Sequence, residues 1–216
     1  MGEYYTVKQG DHLSKIAKDN GFTDYTVIWD HPNNSDLKKM RQNPNVLLPG
    51  DEVFVPEMEE KQESGSADKH HTFSVDKKTL KLRLVLEDNY EKPIARAQCA
   101  LLVDGQTYQL TTDGSGKLEQ DIPLDASEAY LTIRGDQTPF ANDIIPIRIG
   151  HLDPIDELSG QIARLNNLGY FAGHLDDSDT DAFESAVEEF QCDNKLTVDG
   201  ICGTNTQAKL KQVHGC

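Results

Sequence analysis

The amino-acid sequence predicts a multidomain α+β protein with three parts: a strand–helix–helix–strand (βααβ) module, a small β-sandwich and a C-terminal three-helix bundle. Its 216 residues exceed the length of one average domain. The apolar pattern changes twice along the chain, from a mixed strand and helix pattern to strict alternation, and then to helical periodicity. We therefore expect domains at residues 1–57, 72–150 and 151–216, with a flexible linker at 58–71.

The first segment opens with YTVKQGDHLSKIA, which predicts a strand, a turn and the start of a helix within residues 5–17. Gly10 permits a tight turn, and Asp11 can accept backbone N–H groups at the helix start. Leu13 and Ile16 have the spacing of one helix face. The segment closes with the apolar strand VFV, so a small module bounded by two strands is expected.

YTVKQGDHLSKIA and the later LLPGDEVFVP resemble a LysM domain over residues 4–57. LysM domains are βααβ modules that bind N-acetylglucosamine-containing glycans between the first turn and the loop before the second strand. In this chain histidine stands where the family usually has threonine, and a longer insert precedes LLPGD. The resemblance implies a sugar groove lined by Gly10, Asp11, His12, Leu13, Asn45, Val46, Leu47 and Leu48.

The middle segment, residues 72–150, predicts a β-sandwich of about seven short strands. Leucines at every second position from Leu80 to Leu86 indicate a strand with one wet face, and turn sequences such as TTDGSGK recur. KLRLVLEDNYEKPIARAQCALLVDG resembles carboxypeptidase-regulatory-like and bacterial immunoglobulin-like sandwiches, which usually space or dock other parts. The preceding stretch, MEEKQESGSADKHH, is polar and lacks apolar periodicity, which predicts the linker at 58–71.

The last segment predicts three helices joined by short loops. Asp153 is the expected N-cap of the first helix, Pro154 its first residue and Gly169 the residue after its end. DAFESAVEEF forms the second helix, with apolar residues on one face. In the third, TNTQAKLKQVHG, the expected inward residues are Ala208, Leu210 and Val213.

LNNLGY, AVEEFQ and VDGICGTNT resemble the three-helix peptidoglycan-binding module that accompanies many cell-wall hydrolases, over residues 152–214. The residues to which the resemblance assigns binding are Tyr170, Phe190, Gln191, Asp199, Gly200 and Thr206. The family usually has a second Asp-Gly loop where this chain reads HLDDSDTD. That acidic loop has Ala182 where a calcium loop requires glycine, so no metal is expected.

The charge of the chain narrows the classes of molecule that it could bind. The net charge is −16 and each of the three segments is acidic, which argues against nucleic acid or an anionic membrane surface. The sequence contains no run of about 18 apolar residues, so no membrane-spanning helix is predicted.

Four cysteines do not form a disulfide framework. Cys192 and Cys202 are expected to be small buried thiols, with pairing in an oxidising compartment left open.

The order of the three parts resembles small accessory proteins that accompany VgrG-type spike proteins of type VI secretion. It implies a non-catalytic binder of peptidoglycan or N-acetylglucosamine oligomers that assists or loads cargo on such a machine, with a spike protein or effector as partner. The start of the chain lacks a signal-peptide pattern, so we expect cytoplasmic synthesis and delivery to the periplasm through the machine.

Two alternatives to this function stay open. One is a protein–protein adaptor whose LysM and peptidoglycan-binding folds no longer bind sugar, because a fold does not fix its function. The other is a cell-wall hydrolase effector, which would need paired carboxylates, a Cys–His pair or a zinc site. No such spacing stands out, so no catalytic residue and no cofactor is expected.

Overall fold

The computed structural model describes residues 2–58, 70, 72, 78–88, 90, 92–134, 142–175 and 180–216. Two compact units make up the chain. The first contains Met1–Asn45 and Pro49–Gly150, and the second contains Val46–Leu48 and His151–Cys216. The predicted linker and the middle of the acidic HLDDSDTD loop lie largely outside the described residues.

The N-terminal part of the first unit has a strand at each end and helices between them. In chain order its elements are β1 (Glu3–Thr6), α1 (Leu13–Asp19), α2 (Thr26–Trp29), a 3₁₀ turn (Pro32–Asn34), α3 (Ser35–Arg41) and β2 (Glu52–Val55). Strands β1 and β2 are antiparallel, with Tyr5 opposite Val53. The insert noted in the sequence therefore supplies an additional helix, α3, to the predicted order of elements.

A buried asparagine joins the helices of this part to its sheet. The Asn34 side-chain amide donates to the carbonyl groups of Ile28 and Phe54, each at 2.8 Å, and its carbonyl accepts the Phe54 N–H at 2.8 Å. Because buried polar groups cost free energy when they are unpaired, this complete pairing fixes β2 against the end of α2.

The remainder of the first unit is a β-sandwich. Its strands are β3 (Leu80–Val85), β4 (Gln98–Val103), β5 (Gln106–Thr111), β6 (Lys117–Ile122), β7 (Glu128–Arg134) and β8 (Ile144–Arg148). β3 pairs with β6, and the other four form an antiparallel sheet in the order β5-β4-β7-β8. The described residues thus contain six strands rather than about seven. Among the described residues between β3 and β4, Glu87 and Pro93 form an isolated bridge, and proline has no N–H with which to extend a ladder.

The second unit contains α4 (Leu158–Asn167), α5 (Thr180–Asp193) and α6 (Thr204–His214) around a small apolar core. Helix α4 begins later than expected. The carboxylate of Asp153 accepts the Ser159 hydroxyl at 2.6 Å, and the Pro154 carbonyl accepts the Glu157 N–H at 3.1 Å. These bonds form a separate turn, and Glu157 takes the N-cap position that was predicted for Asp153.

Two further expectations for the second unit are wrong. Ala208 and Val213 of α6 are exposed, whereas Thr206 and Leu210 face the core. Cys192 is exposed and Cys202 is half-buried, whereas both were expected to be buried; the pairing of these two residues, which had been left open, is absent, since all four cysteines are free. Helix α5 buries Val187, Phe190 and Gln191 on one face, and the helical period turns residue 192 away from that face.

Candidate functional site

The first candidate site is the turn that precedes α1. Gly10 has φ +86°, the left-handed conformation that favours glycine in a tight turn. Asp11 closes the turn: its carboxylate accepts the Tyr5 hydroxyl at 2.7 Å, the Lys8 N–H at 2.9 Å and the Lys15 ammonium at 3.0 Å. Burial by itself would raise the pKa of Asp11. The hydrogen bonds together have the larger effect, so the pKa lies below its ordinary value. Asp11 thus stabilises the turn and does not cap α1, as had been predicted for it; the N-cap is the next residue.

His12 takes the N-cap position of α1, where Nδ1 accepts the Lys15 N–H at 3.4 Å. Its side chain is 2% exposed, and burial lowers its pKa more than the neighbouring Ala126 backbone and Asp11 raise it. Although Ala126 is near enough to affect the pKa, Nε2 makes no hydrogen bond of normal geometry within the described part of the chain. His12 is therefore a neutral, enclosed ring.

Gly150, at the end of the sandwich, covers this turn. A Cβ atom at that position would lie 2.6 Å from the Gly10 carbonyl oxygen and 3.0 Å from Cδ2 of His12. A salt bridge between Lys18 and Asp125, at 2.5 Å, joins α1 to the same part of the sandwich. The N-terminal module and the sandwich are therefore in direct contact at the turn for which sugar binding was predicted.

The predicted groove residues are mostly enclosed. Gly10, Asp11, His12 and Leu13 are buried in the first unit, and Asn45 in the same unit is exposed. Val46 and Leu47 are buried, Leu48 is half-buried, and all three belong to the second unit. A groove that binds sugar through these residues stays a prediction.

In the second unit, Gln191 organises the loop between α5 and α6. Its amide nitrogen donates to the Asp199 carboxylate at 2.8 Å, the Ile201 carbonyl at 3.0 Å and the Thr206 hydroxyl at 3.0 Å. Its carbonyl accepts the N–H groups of Asp199 at 2.9 Å and Gly200 at 3.1 Å. Gln191 is 1% exposed, so this network holds the loop from inside. Four of the residues predicted to bind peptidoglycan therefore lie together, and their bonds to one another hold the loop in place. They are Gln191, Asp199, Gly200 and Thr206.

The two other predicted residues meet beside this network. Phe190 is fully buried, and the Tyr170 ring packs edge-to-face on it with 5.5 Å between ring centroids. The Tyr170 hydroxyl donates to the Asp193 carboxylate at 3.0 Å. Tyr170 is half-buried, so part of it remains accessible at the surface of the unit.

Exposed apolar side chains on the loops of the second unit were not singled out from the sequence. Phe171 is 69% exposed and lies edge-to-face to His174, and Ile201 is 66% exposed on the loop held by Gln191. The loop that carries Phe171 is anchored by Asn166, which accepts the Ala172 N–H at 2.9 Å and donates to the Gly173 carbonyl at 2.8 Å. Side chains that anchored loops hold at the surface are suited to contact a ligand.

A cysteine–histidine pair was also missed, because neither residue lies in a recognisable motif. Cys216 Sγ is 3.2 Å from Nδ1 of His214, and the Asn167 amide is 3.1 Å from Nε2 of the same ring. Burial raises the pKa of Cys216, and burial with the nearby Arg164 lowers the pKa of His214 to about 4. Burial thus favours the uncharged forms of both the thiol and the ring.

The described residues contain neither a cluster of metal ligands nor a membrane-spanning helix. No group of three or more histidine, cysteine or acidic side chains in that part of the chain could hold a metal ion. None of the helices that the structure describes is long and apolar enough to span a membrane.

Comparison with known proteins assigns a family to the second unit. Residues 163–210, from the middle of α4 through most of α6, match the model of the peptidoglycan binding domain family. Neither the curated proteins nor the solved structures contain a match to this chain. The match confirms the resemblance of the last segment and includes all six residues predicted there. The chain contains a peptidoglycan-binding domain at residues 163–210.

Proposed function

We propose that this protein is a non-catalytic peptidoglycan-binding protein whose binding surface lies on the second unit. The observation that carries the proposal is the family match over residues 163–210. Exposed apolar side chains on anchored loops support it, since rigid loops lose little conformational entropy when they bind a polymer. The ligand is a peptidoglycan strand, and no bond is made or broken.

The contact surface includes Phe171 and Ile201. Phe171 lies beside the His174 ring, and Ile201 lies beside the Asp199 carboxylate, which accepts its N–H. Apolar area next to polar groups suits a sugar ring or peptide with both apolar faces and hydroxyl or amide groups. Gln191 and Thr206 act indirectly, because they hold the Asp199 loop without reaching the surface.

Co-sedimentation with purified peptidoglycan sacculi tests the proposal. The full chain should pellet with sacculi, and Phe171→Ala or Ile201→Ser should weaken binding roughly fivefold or more, as expected for a central apolar contact. Tyr90→Ala and Val85→Ser are matched controls, because these exposed residues lie in the first unit. Full-length protein that stays in the supernatant would overturn the proposal.

A separate measurement tests the proposal that the protein does not cleave peptidoglycan. Sacculi incubated with the full chain should release no soluble muropeptides above the level of buffer alone. Release that disappears in Cys216→Ser or His214→Gln would instead make the protein a hydrolase that uses the Cys216–His214 pair.

A second candidate function assigns the first unit to protein docking in a type VI secretion or related contractile injection machine. Its support is the order of the three parts in the sequence. The partner is a VgrG-type spike protein or an effector, and delivery to the periplasm would follow from that docking. Co-elution of the full chain with a purified spike protein in size-exclusion chromatography tests it, and separate elution would count against it.

A further inference from the structure

The contact between the N-terminal module and the sandwich closes over a titratable ring. His12 is 2% exposed, and Gly150 lies so close to it that a Cβ atom on the glycine would come within 3.0 Å of Cδ2 of the ring. The backbone of Ala126, a buried residue between β6 and β7, also lies near the ring. The sandwich therefore encloses the residue that caps α1.

The hydrogen bonding of this ring requires its neutral form. Nδ1 of His12 accepts the Lys15 N–H at 3.4 Å, and the same N–H donates to the His12 carbonyl at 3.0 Å. A ring nitrogen that accepts a hydrogen bond carries no proton, so the proton of the neutral ring lies on Nε2. Protonation would place a second donor on Nδ1, directed at the Lys15 N–H, and two donors cannot bond to each other. The acid form of the ring therefore loses its capping bond.

Charged side chains from both sides of the contact act on the ring. In the module these are Asp11, Lys15 and Asp19, and in the sandwich Asp125. The Asp11 carboxylate already accepts the three bonds that close the turn, and Asp125 pairs with Lys18. In the described part of the chain, no carboxylate makes a hydrogen bond to the ring. The attraction of these carboxylates is thus shared with other cations and donors.

The balance of these influences opposes a charge on the ring. Burial, followed by Lys15, lowers the pKa of His12 more than the carboxylates and the Ala126 backbone raise it. For Asp11 the hydrogen bonds outweigh burial, and for Asp125 the bond from Lys18 is the largest influence, so the pKa of each carboxyl lies below its ordinary value. The ring therefore changes its charge beside carboxylates that stay ionised at the pH where a histidine titrates.

We propose that protonation of His12 releases the N-terminal turn from the sandwich. A buried imidazolium needs acceptors for both of its N–H groups or access to water. Water can reach this ring when Gly150 and Ala126 move away, because these residues lie over it. The same movement makes the turn from Gly10 to His12 accessible. The contact is thus a closure that holds at neutral pH and opens in acid.

NMR spectra of the full chain, recorded from about pH 8 to about pH 4, test this inference. The short distance from Cδ2 of His12 to the Cβ position of Gly150 predicts a nuclear Overhauser effect between the ring proton Hδ2 and a Gly150 Hα at neutral pH. The ring should titrate with a midpoint below about 6.5, and this nuclear Overhauser effect should disappear with the same midpoint. The amides of Gly10 and Ala126, both buried in the closed form, should then become accessible to a soluble paramagnetic agent.

His12→Asn removes the titration and keeps the cap, because asparagine is a favourable N-cap residue without a titratable proton. The Gly10 amide of this variant should stay inaccessible over the whole pH range. His31→Asn is the matched control. His31 is also an N-cap whose Nδ1 accepts a backbone N–H, that of Asn33 at 3.2 Å, but it is half-buried and packs on Phe54 of β2. His31→Asn should therefore open as the unmodified chain does.

Three results would overturn the inference. They are a ring that stays neutral down to about pH 4, a nuclear Overhauser effect that persists once the ring is protonated, and a His12→Asn variant that opens at the same pH as the unmodified chain. The first two come from the unmodified chain, so the inference remains testable even if His12→Asn does not fold. Peptidoglycan is absent from these measurements, so a failure of sacculus binding by the second unit would not affect their outcome.

Discussion

The substitution Gln191→Leu tests whether the network of this residue is what shapes the peptidoglycan-binding domain. Leucine fills a similar volume but cannot bond to its neighbours. Asp199 and Ile201 are exposed and can turn to water. The buried Gly200 N–H loses its bond to Gln191, and the buried Thr206 hydroxyl is left with a long bond of 3.4 Å to the Ile201 carbonyl. Each buried group left without a partner costs about 1–3 kcal/mol. We therefore expect the second unit to lose about 2–5 kcal/mol of its free energy of unfolding.

Urea denaturation of the full chain measures this loss with an internal reference. Far-UV circular dichroism follows the helices of both units, of which α4, α5 and α6 of the second unit are the longest, and the single tryptophan, Trp29, reports by fluorescence on the first unit alone. A transition seen by circular dichroism but not by fluorescence therefore belongs to the second unit. The helical midpoint of Gln191→Leu should fall by about 1 M or more, given the urea dependence of small domains. The Trp29 midpoint should stay in place.

Gln212→Leu is the matched control for this experiment. Gln212 is an exposed residue of α6, so its replacement should change stability by no more than about 0.5 kcal/mol. A loss below about 1 kcal/mol in Gln191→Leu would refute a structural role for the network. Unchanged stability with lost sacculus binding would instead indicate that Gln191 contacts the ligand.

Three further predictions concern the turn and the buried titratable groups. Gly150→Ala should destabilise the first unit by about 2–4 kcal/mol, measured by Trp29 fluorescence, because its φ is +78° and the new Cβ would meet the Gly10 carbonyl; a wild-type midpoint would contradict this packing. Asp11→Asn should cost about 1–2 kcal/mol by the same assay, because it weakens the bonds from Tyr5 and Lys15, whereas the exposed Asp36→Asn should cost little. The folded-state pKa of His214, about 4, is below its unfolded value of about 6.5, so the unfolded chain binds more protons between these values. The free energy of unfolding should thus fall by about 3 kcal/mol as the pH drops from about 6.5 to 4. In a series of urea titrations at different pH values, His214→Gln should reduce this dependence of stability on pH. An unchanged dependence would show that other groups cause it.

The peptidoglycan-binding domain could be predicted from local sequence signals. LGY, AVEEFQ and VDGICGTNT indicated three helices and a glycine turn, and the family match covers these motifs. The start of α4 was missed because Asp153 and Pro154 satisfy the statistics of a helix start, yet their bonds close a separate turn. A capping pattern identifies residues able to begin a helix, but several positions can compete for that role.

Burial at the N-terminal turn could not be predicted in the same way. The sequence indicated the turn at Gly10 and the apolar face of α1, because local spacing carries both signals. It could not show that Gly150, which lies far away in the chain, packs on that turn and encloses His12. The same holds for the polar partners of Asp11, which turned an expected helix cap into the closure of the turn.

The sequence by itself determined the succession of a mixed, an all-strand and a helical part, the acidic character of the chain and the family of its last segment, because each follows from periodicity, composition or a contiguous motif. Only the tertiary structure decided which of the predicted binding residues are accessible. Gln191 and Thr206 are internal supports, Phe171 and Ile201 are surface groups, and His12 is enclosed by the sandwich. Accessibility depends on which surfaces distant parts of the chain cover, and local sequence patterns do not encode that choice.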